Sequence, residues 1–301
     1  MDAQKRYYKK VKRELEGPCN ICGKIAKLTW DHKPPKNCGN HYPIHLNSIF
    51  EEWDGDERIT PDAQNGLKYR TICNDCNNGL LGGEYDRTMS EYSDTIARML
   101  FSELKFPQIV HTEVKINRLC RAICGHFLSA LAEYDDKNLV DRRLREYFLT
   151  PSALPPKGMQ LLNWIYLYKS IVVLRNYAVK SYSAAVHYPD GLISNVYSFP
   201  VAYVLHDGTD SCGLVNLFSF CTTDIDEVVS IPIDFNSVYY PGQTVFRNML
   251  WPSDVSDNDN GAAFVLGSDA SFRSSVIAMH SDDTVRKIKA THKKRTHING
   301  R

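Results

Sequence analysis

The stretch "TICNDCNNGLLGG", residues 71–83, places a Cys-x-x-Cys pair directly ahead of two asparagines and three glycines. A matching pair, Cys19-x-x-Cys22, stands upstream, with 50 residues between the two. Each pair makes a tight turn that aims two thiolates at one point, and two such turns complete a tetrahedral four-sulfur site for Zn²⁺. The separation exceeds that of a simple zinc ribbon, so further structure is expected inside the loop. Residues 19–83 are rich in Pro, Gly, Asn and Cys and poor in periodic apolar residues. A segment of that composition needs a staple, and metal binding there is folding energy.

The rest of the composition bounds the reading. At 301 residues, with 43% apolar and 24% charged side chains, the chain can bury a sizeable core. No apolar run reaches the length of a membrane span: "LLNWIYLYKSIVVL" (161–174) is interrupted by Lys169. The first residues are charged and lack the apolar core of a secretory signal, so the expected location is the cytoplasm. Nine cysteines, an odd count, cannot all pair within one chain, and in a reducing compartment paired spacings point to metal. Residues 1–16 and 285–301 carry net charges of +3 and +7, which leaves the body at −9 for a total of +1. Basic termini on an acidic body suit a polyanionic partner, because each phosphate contact releases counterions. A solvated, frayed tail is the alternative.

The expected fold class is α+β. Residues 5–16 read as a short basic helix stopped by Gly17-Pro18. After Gly83 the apolar residues take helical spacing: Met89, Tyr92, Ile96, Met99 and Leu100, then Ile116, Leu119, Cys120, Ile123, Phe127 and Leu131. A shorter helix is expected around 138–149, so that helices fill about 87–150. From about 160 to 280 the texture is that of an antiparallel sheet, with β-branched and aromatic runs at 160–168, 170–179, 195–206, 213–222 and 228–233. Residues 251–262 look like an exposed loop. The organisation expected is residues 1–86 as one module and 87–301 as an α+β domain with a basic tail at 285–301.

Inside the cysteine loop lies "LTWDHKPPK", residues 28–36. Asp31 and His32 set an oxygen ligand beside a general base, and in a straight strand the two would face opposite sides. Cys-x-x-Cys, Asp-His-x-x-Pro and Cys-x-x-Cys-Asn, in that order, resemble the zinc-stapled HNH (ββα-metal) nucleases. The resemblance covers residues 17–83, about a quarter of the chain. It implies that Cys19, Cys22, Cys73 and Cys76 hold a structural zinc and that His32 is the base that activates water. It implies too that Asp31 and Asn77 bind a catalytic divalent ion, with Asn78 as the alternative to Asn77. The best match to the family's middle asparagine is Asn65, and Asn77 replaces its final histidine, making the site His-Asn-Asn. One carboxylate and one neutral amide oxygen form a hard donor set suited to Mg²⁺ or Mn²⁺.

What this implies is a metal-dependent endonuclease acting on nucleic acid, DNA favoured over RNA, of the kind found among bacterial or phage defence and mobile-element effectors. A zinc-dependent nucleic-acid-binding module that does not cut, or an RNase using the same site, are the alternatives. Lys33, Lys36, His41 and His45 are expected to touch phosphate, and the C-terminal domain could mediate a homodimer or hold a partner protein. Cys38, His41 and His45 have a spacing that could hold a second metal but lack a fourth ligand. Glu84 and Asp86 read as surface acids, Cys120 and Cys124 as buried packing thiols, and His126 as the polar neighbour of an apolar stripe. Cys212 and Cys221 read as strand residues without partners. Trp164, Tyr166, Tyr168, Phe218 and Phe220 read as core positions, with a base-stacking platform as the alternative.

Overall fold

A computed structural model describes residues 13–47, 62–63, 65–181, 191–208, 211, 213–235, 262–266 and 274–298. Residues 5–12 of the expected basic helix, residues 251–261 of the expected loop, Cys212 and the last three residues of the tail lie outside these. Among the described residues, a group of helices lies between two sets of antiparallel strands, an α+β composition.

The first sheet is built around the cysteine turns. Strands β1 (Glu16–Pro18), β2 (Ile25–His32) and β5 (Lys68–Cys73) pair antiparallel in the order β1-β2-β5. Glu16 is therefore extended, where the sequence suggested the end of a helix. β5 runs directly into a π-helix, Asp75–Tyr85, and then into α1 (Asp86–Leu100). The loop between β2 and β5 sends out β3 (Ile44–Asn47) and β4 (Asp62–Ala63), which leave this sheet and join a larger one.

β6 (Ile109–Lys115) lies in the stretch expected to be wholly helical; its run of Ile, Val and Thr suits a pleated surface. α2 (Ile116–Ser129) is buried on almost every side, and α3 (Leu139–Leu149) starts at Asn138, whose side chain accepts from the Asp141 amide. Next come β7 (Gln160–Ile165), β8 (Ser170–Ser181), β9 (Gly191–Ser198), β10 (Val201–His206) and β11 (Val215–Asn216). The chain continues through β12 (Val228–Asp234), β13 (Ala262–Leu266), β14 (Val276–His280) and α4 (Asp282–Ile298). Among the described residues the large sheet has nine strands in the order β11-β7-β10-β9-β8-β14-β3-β4, with β13 also on β8. Of the run 213–222, only Val215–Asn216 is strand, and Leu217–Phe220 form a 3₁₀ turn. β12 pairs with β6 in a separate ribbon and does not join the sheet.

The sheet's central strands are buried on both faces, and alternation sorts their side chains. Leu161, Ile165, Val201, Tyr203 and Leu205 pack into the cluster that holds the helices, while Leu162, Trp164, Ala202 and Val204 pack into a second cluster on the other face. Trp164, Tyr166 and Phe218 are buried, as a core reading requires, whereas Tyr168 and Phe220 are only partly buried. The first cluster also contains Cys19, Ile21, Leu28, Ile72 and Cys76, so packing runs across residue 86 without a break. Leu67 and Tyr69 of the β5 segment join Ile44, Ile171, Val173 and Ala278 in a third cluster.

Candidate metal centre

The two cysteine turns meet. Cys19 and Cys22 flank the corner between β1 and β2, closed by Gly23 N–H donating to Cys19 O at 2.8 Å and Cys19 N–H to Lys24 O at 2.9 Å. Cys73 ends β5 and Cys76 sits in the first turn of the π-helix. The four sulfurs lie within 4.8 Å of one another, and Cys22 Sγ is 3.8 Å from Cys73 Sγ. A tetrahedron with Zn–S bonds of about 2.3 Å has S···S edges of about 3.8 Å, so these four residues can hold a zinc ion. The Cys73 N–H points at Cys19 Sγ at 3.3 Å. A hydrogen bond from the Cys76 thiol pulls Cys19 down to about 5, whereas burial pushes Cys22 up to about 11. Crowded sulfurs ionise together only around a cation.

At the end of β2 the register with β5 shifts between Thr29 and Trp30. The unpaired residue is Thr71 of β5; on β2, Leu28 and Asp31 are buried, Trp30 is exposed and His32 is half-buried. Asp31 and His32 thus point to opposite sides of β2, with no bend that unites them. Asp31 meets the amine of Lys33, which is 0% exposed. Lys33 Nζ lies 3.4 Å from His126 Nδ1 on α2, and His126 Nε2–H donates to Asp86 Oδ1, the first residue of α1, at 2.9 Å. Burial lowers the pKa of both Lys33 and His126, each opposed by Asp86. With His126 neutral, the chain of donors runs from Lys33 to Asp31 on one side and through His126 to Asp86 on the other. Two carboxylates face one amine, so the cluster is short of positive charge. Asp31 Oδ2 is the oxygen that meets Lys33, and His126 Nδ1 lies 3.9 Å from it.

His32 Nε2 contacts the Asn65 carbonyl at 3.1 Å. A carbonyl can only accept, so this contact assigns the proton to Nε2 and leaves the Nδ1 lone pair as the basic position. Gly66, next in the chain, has φ +73°, and an added Cβ would lie 2.3 Å from Asn40 O; only glycine holds this loop in place. Burial, helped by the charges of Lys68, Lys36 and His41, lowers His32 to about 4.

Asn77 is brought onto β2: its amide nitrogen donates to Thr29 Oγ1 at 2.9 Å and to the Trp30 carbonyl at 3.0 Å. Both bonds use nitrogen and leave the amide oxygen uncommitted. Asn78 instead donates to Asn74 on the surface, at 2.7 Å. The glycines behind them match the wide helix, whose turns close from residue i to i+5. A Cβ on Gly82 would stand 3.3 Å from Asn77 O, and one on Gly83 3.0 Å from Asn78 O.

The remaining expected site residues scatter. Lys33 is buried in the Asp31 pair, so the reading of its amine as a surface contact for phosphate does not hold in this structure. Lys36 opens a 3₁₀ turn, and its carbonyl lies 3.1 Å from the ring of exposed His41. His45 is exposed on β3. Cys38 is buried against Ser93 and Ser90, at 3.7 and 4.0 Å, with burial pushing its thiol up to about 12. Among the described residues, only the four zinc-type cysteines gather as a metal-ready group of His, Cys, Asp and Glu. Cys120 and Cys124 are buried in the core. Glu84 is a surface acid paired with Arg118 at 2.8 Å, but Asp86 is not, since it ends the buried chain through His126. The pairing of His126 with Asp86 has no signal in the sequence beyond a histidine next to an apolar helical stripe. Among the described residues no helix is long and apolar enough to cross a membrane. Compared with protein families, curated proteins and solved structures, the chain finds no match.

Proposed function

We propose that the protein is a metal-dependent endonuclease that hydrolyses phosphodiester bonds in nucleic acid, DNA favoured over RNA. The observation that carries this reading is the hydrogen bond from Asn77 to the Trp30 carbonyl. It ties the helix that follows the second cysteine pair to β2, one residue before Asp31 and two before His32, at the end of a cysteine-stapled hairpin. Two antiparallel strands followed by a helical segment, with Asp31 and His32 at the end of the first strand and Asn77 in the helix, support a site of the HNH type.

His32 takes the proton of the attacking water at Nδ1, while the Asn65 carbonyl holds the ring through Nε2–H. Asp31 and Asn77 would hold Mg²⁺ or Mn²⁺: the donors are hard oxygens, and the surplus negative charge of Asp31 and Asp86 over Lys33 favours a cation there. When bound, such an ion supplies positive charge against the developing phosphorane and leaving oxygen. The resemblance implies products with a 5′-phosphate and a 3′-hydroxyl.

Plasmid DNA and total RNA incubated with and without added Mg²⁺ or Mn²⁺ test the reading. Wild type should cut only with the ion, and His32→Ala should be slower by about 10²–10⁴. Equal cleavage by both proteins overturns the mechanism. The Lys33–Asp31 pair favours a second reading, a zinc-dependent nucleic-acid-binding module that does not cut. Binding without cleavage in every metal condition would decide for it.

A further inference from the structure

Trp30 stands on the outer face of β2, 42% exposed, two residues before the strand's end. Directly across the strand pair, Arg70 holds its guanidinium carbon 5.5 Å from the ring centroid. The guanidinium is fixed from behind, because Nε donates to the Arg13 carbonyl at 3.1 Å and Nη2 donates to the same oxygen. Next on this face comes His32, opposite Lys68. The cations that act on His32 are Lys68 and Lys36. The neighbouring carboxylate, Asp31, points inward. The face thus presents one flat aromatic ring beside a row of cations.

We propose that this face binds an unpaired nucleic-acid strand, with one base stacked on Trp30 and its flanking phosphates held by Arg70 and Lys68. Stacking on an indole requires a base with a free π-face, which a single strand or a locally opened duplex offers and an intact duplex does not. Positions i and i+2 on a strand are about 7 Å apart, so the base on Trp30 belongs to a nucleotide adjoining the phosphate that reaches His32. This rests on the proposed nuclease for the role of His32, and it names the substrate class as single-stranded or splayed nucleic acid.

Binding is measured by fluorescence anisotropy without added divalent ions, using a labelled single-stranded oligonucleotide and its duplex. Because the readout is binding, a chain that never cuts still tests the proposal. Wild type should prefer the single strand, and Trp30→Ala should weaken that binding by about tenfold or more. Trp30→Phe should restore most of it, which a lost folding contact would not predict, and zinc content should be unchanged in both variants. Arg70→Gln and Lys68→Gln should each reduce the salt dependence of binding by about one phosphate contact. Wild-type affinity for the single strand in Trp30→Ala, or a duplex preference indifferent to Trp30, overturns the proposal.

Discussion

Lys33 shows how one side chain changes the meaning of its neighbours. In the sequence it is a lysine beside a histidine and two prolines, a natural phosphate contact. In the fold it is buried, neutralises Asp31 and touches His126, 93 residues away along the chain. Replacing it by Met leaves Asp31 without its cation in a buried place, at a cost of about 3–5 kcal/mol. The double change Lys33→Met with Asp31→Leu should recover much of that loss, and chemical denaturation of the single and double variants measures the difference. Acid should expose the histidines. Burial holds His32, His126 and His280 below their ordinary value, so the unfolded chain binds their protons first, near pH ~6.5. Stability is therefore fully present above that pH and declines as the pH falls toward about 4, where folded His32 itself titrates. Urea midpoints that do not fall between pH 7.5 and 5.5 would contradict this assignment. Asp31, His32 and Asn77 could be picked out from residue type and spacing alone. The Lys33–His126–Asp86 chain could not, because nothing local marks three polar residues on separate elements as neighbours.

At the scale of elements, the amphipathic helices and most of the central strands were legible, since periodicity is a local property that survives packing. The π-helix was not. Its register follows from glycines that only matter because carbonyls five residues back approach them, a contact that a sequence pattern does not display. The meeting of this helix with α2 is close enough to reverse an ordinary preference. In a helix interior Gly→Ala is worth about 1 kcal/mol of stabilisation. At Gly125, however, an added Cβ would lie 2.5 Å from both Leu81 Cδ2 and Phe148 Cε2, and those side chains are themselves fully buried. Overpacking of this kind costs about 1–3 kcal/mol, so Gly125→Ala should destabilise on balance, as a thermal melt would record. A stabilised variant would mean that the π-helix can retreat from α2. The basic tail is a second case. It reads as a solvated arm, yet Asp282–Ile298 form a helix that buries Thr284 and Ile288 and leaves Arg286, Lys287 and Lys289 exposed.

At the scale of the molecule, the zinc-type cysteines belong to a core that they share with the helices and the large sheet. Asn20, inside the first cysteine turn, donates to the Leu131 carbonyl at 2.7 Å, and Arg145 of α3 donates back to the Asn20 carbonyl at 2.8 Å. β3, from within the cysteine loop, pairs with β14, more than two hundred residues later. Stripping the metal should therefore lower the melting temperature of the whole chain in one transition. Calorimetry with and without a strong chelator checks this; an unaffected second transition would show a C-terminal half that folds alone.

The sequence by itself determined the cysteine turns, the Asp-His and Asn residues around them, the helical stripes and the β-branched runs. Each of these depends on residues a few positions apart, where geometry follows from bond lengths and repeat. Only the tertiary structure decided which face Asp31 and His32 take, where β3 and β12 go, and that Lys33, His126 and Asp86 meet. Those outcomes rest on contacts between remote segments, whose energies depend on burial and charge compensation that no local spacing encodes.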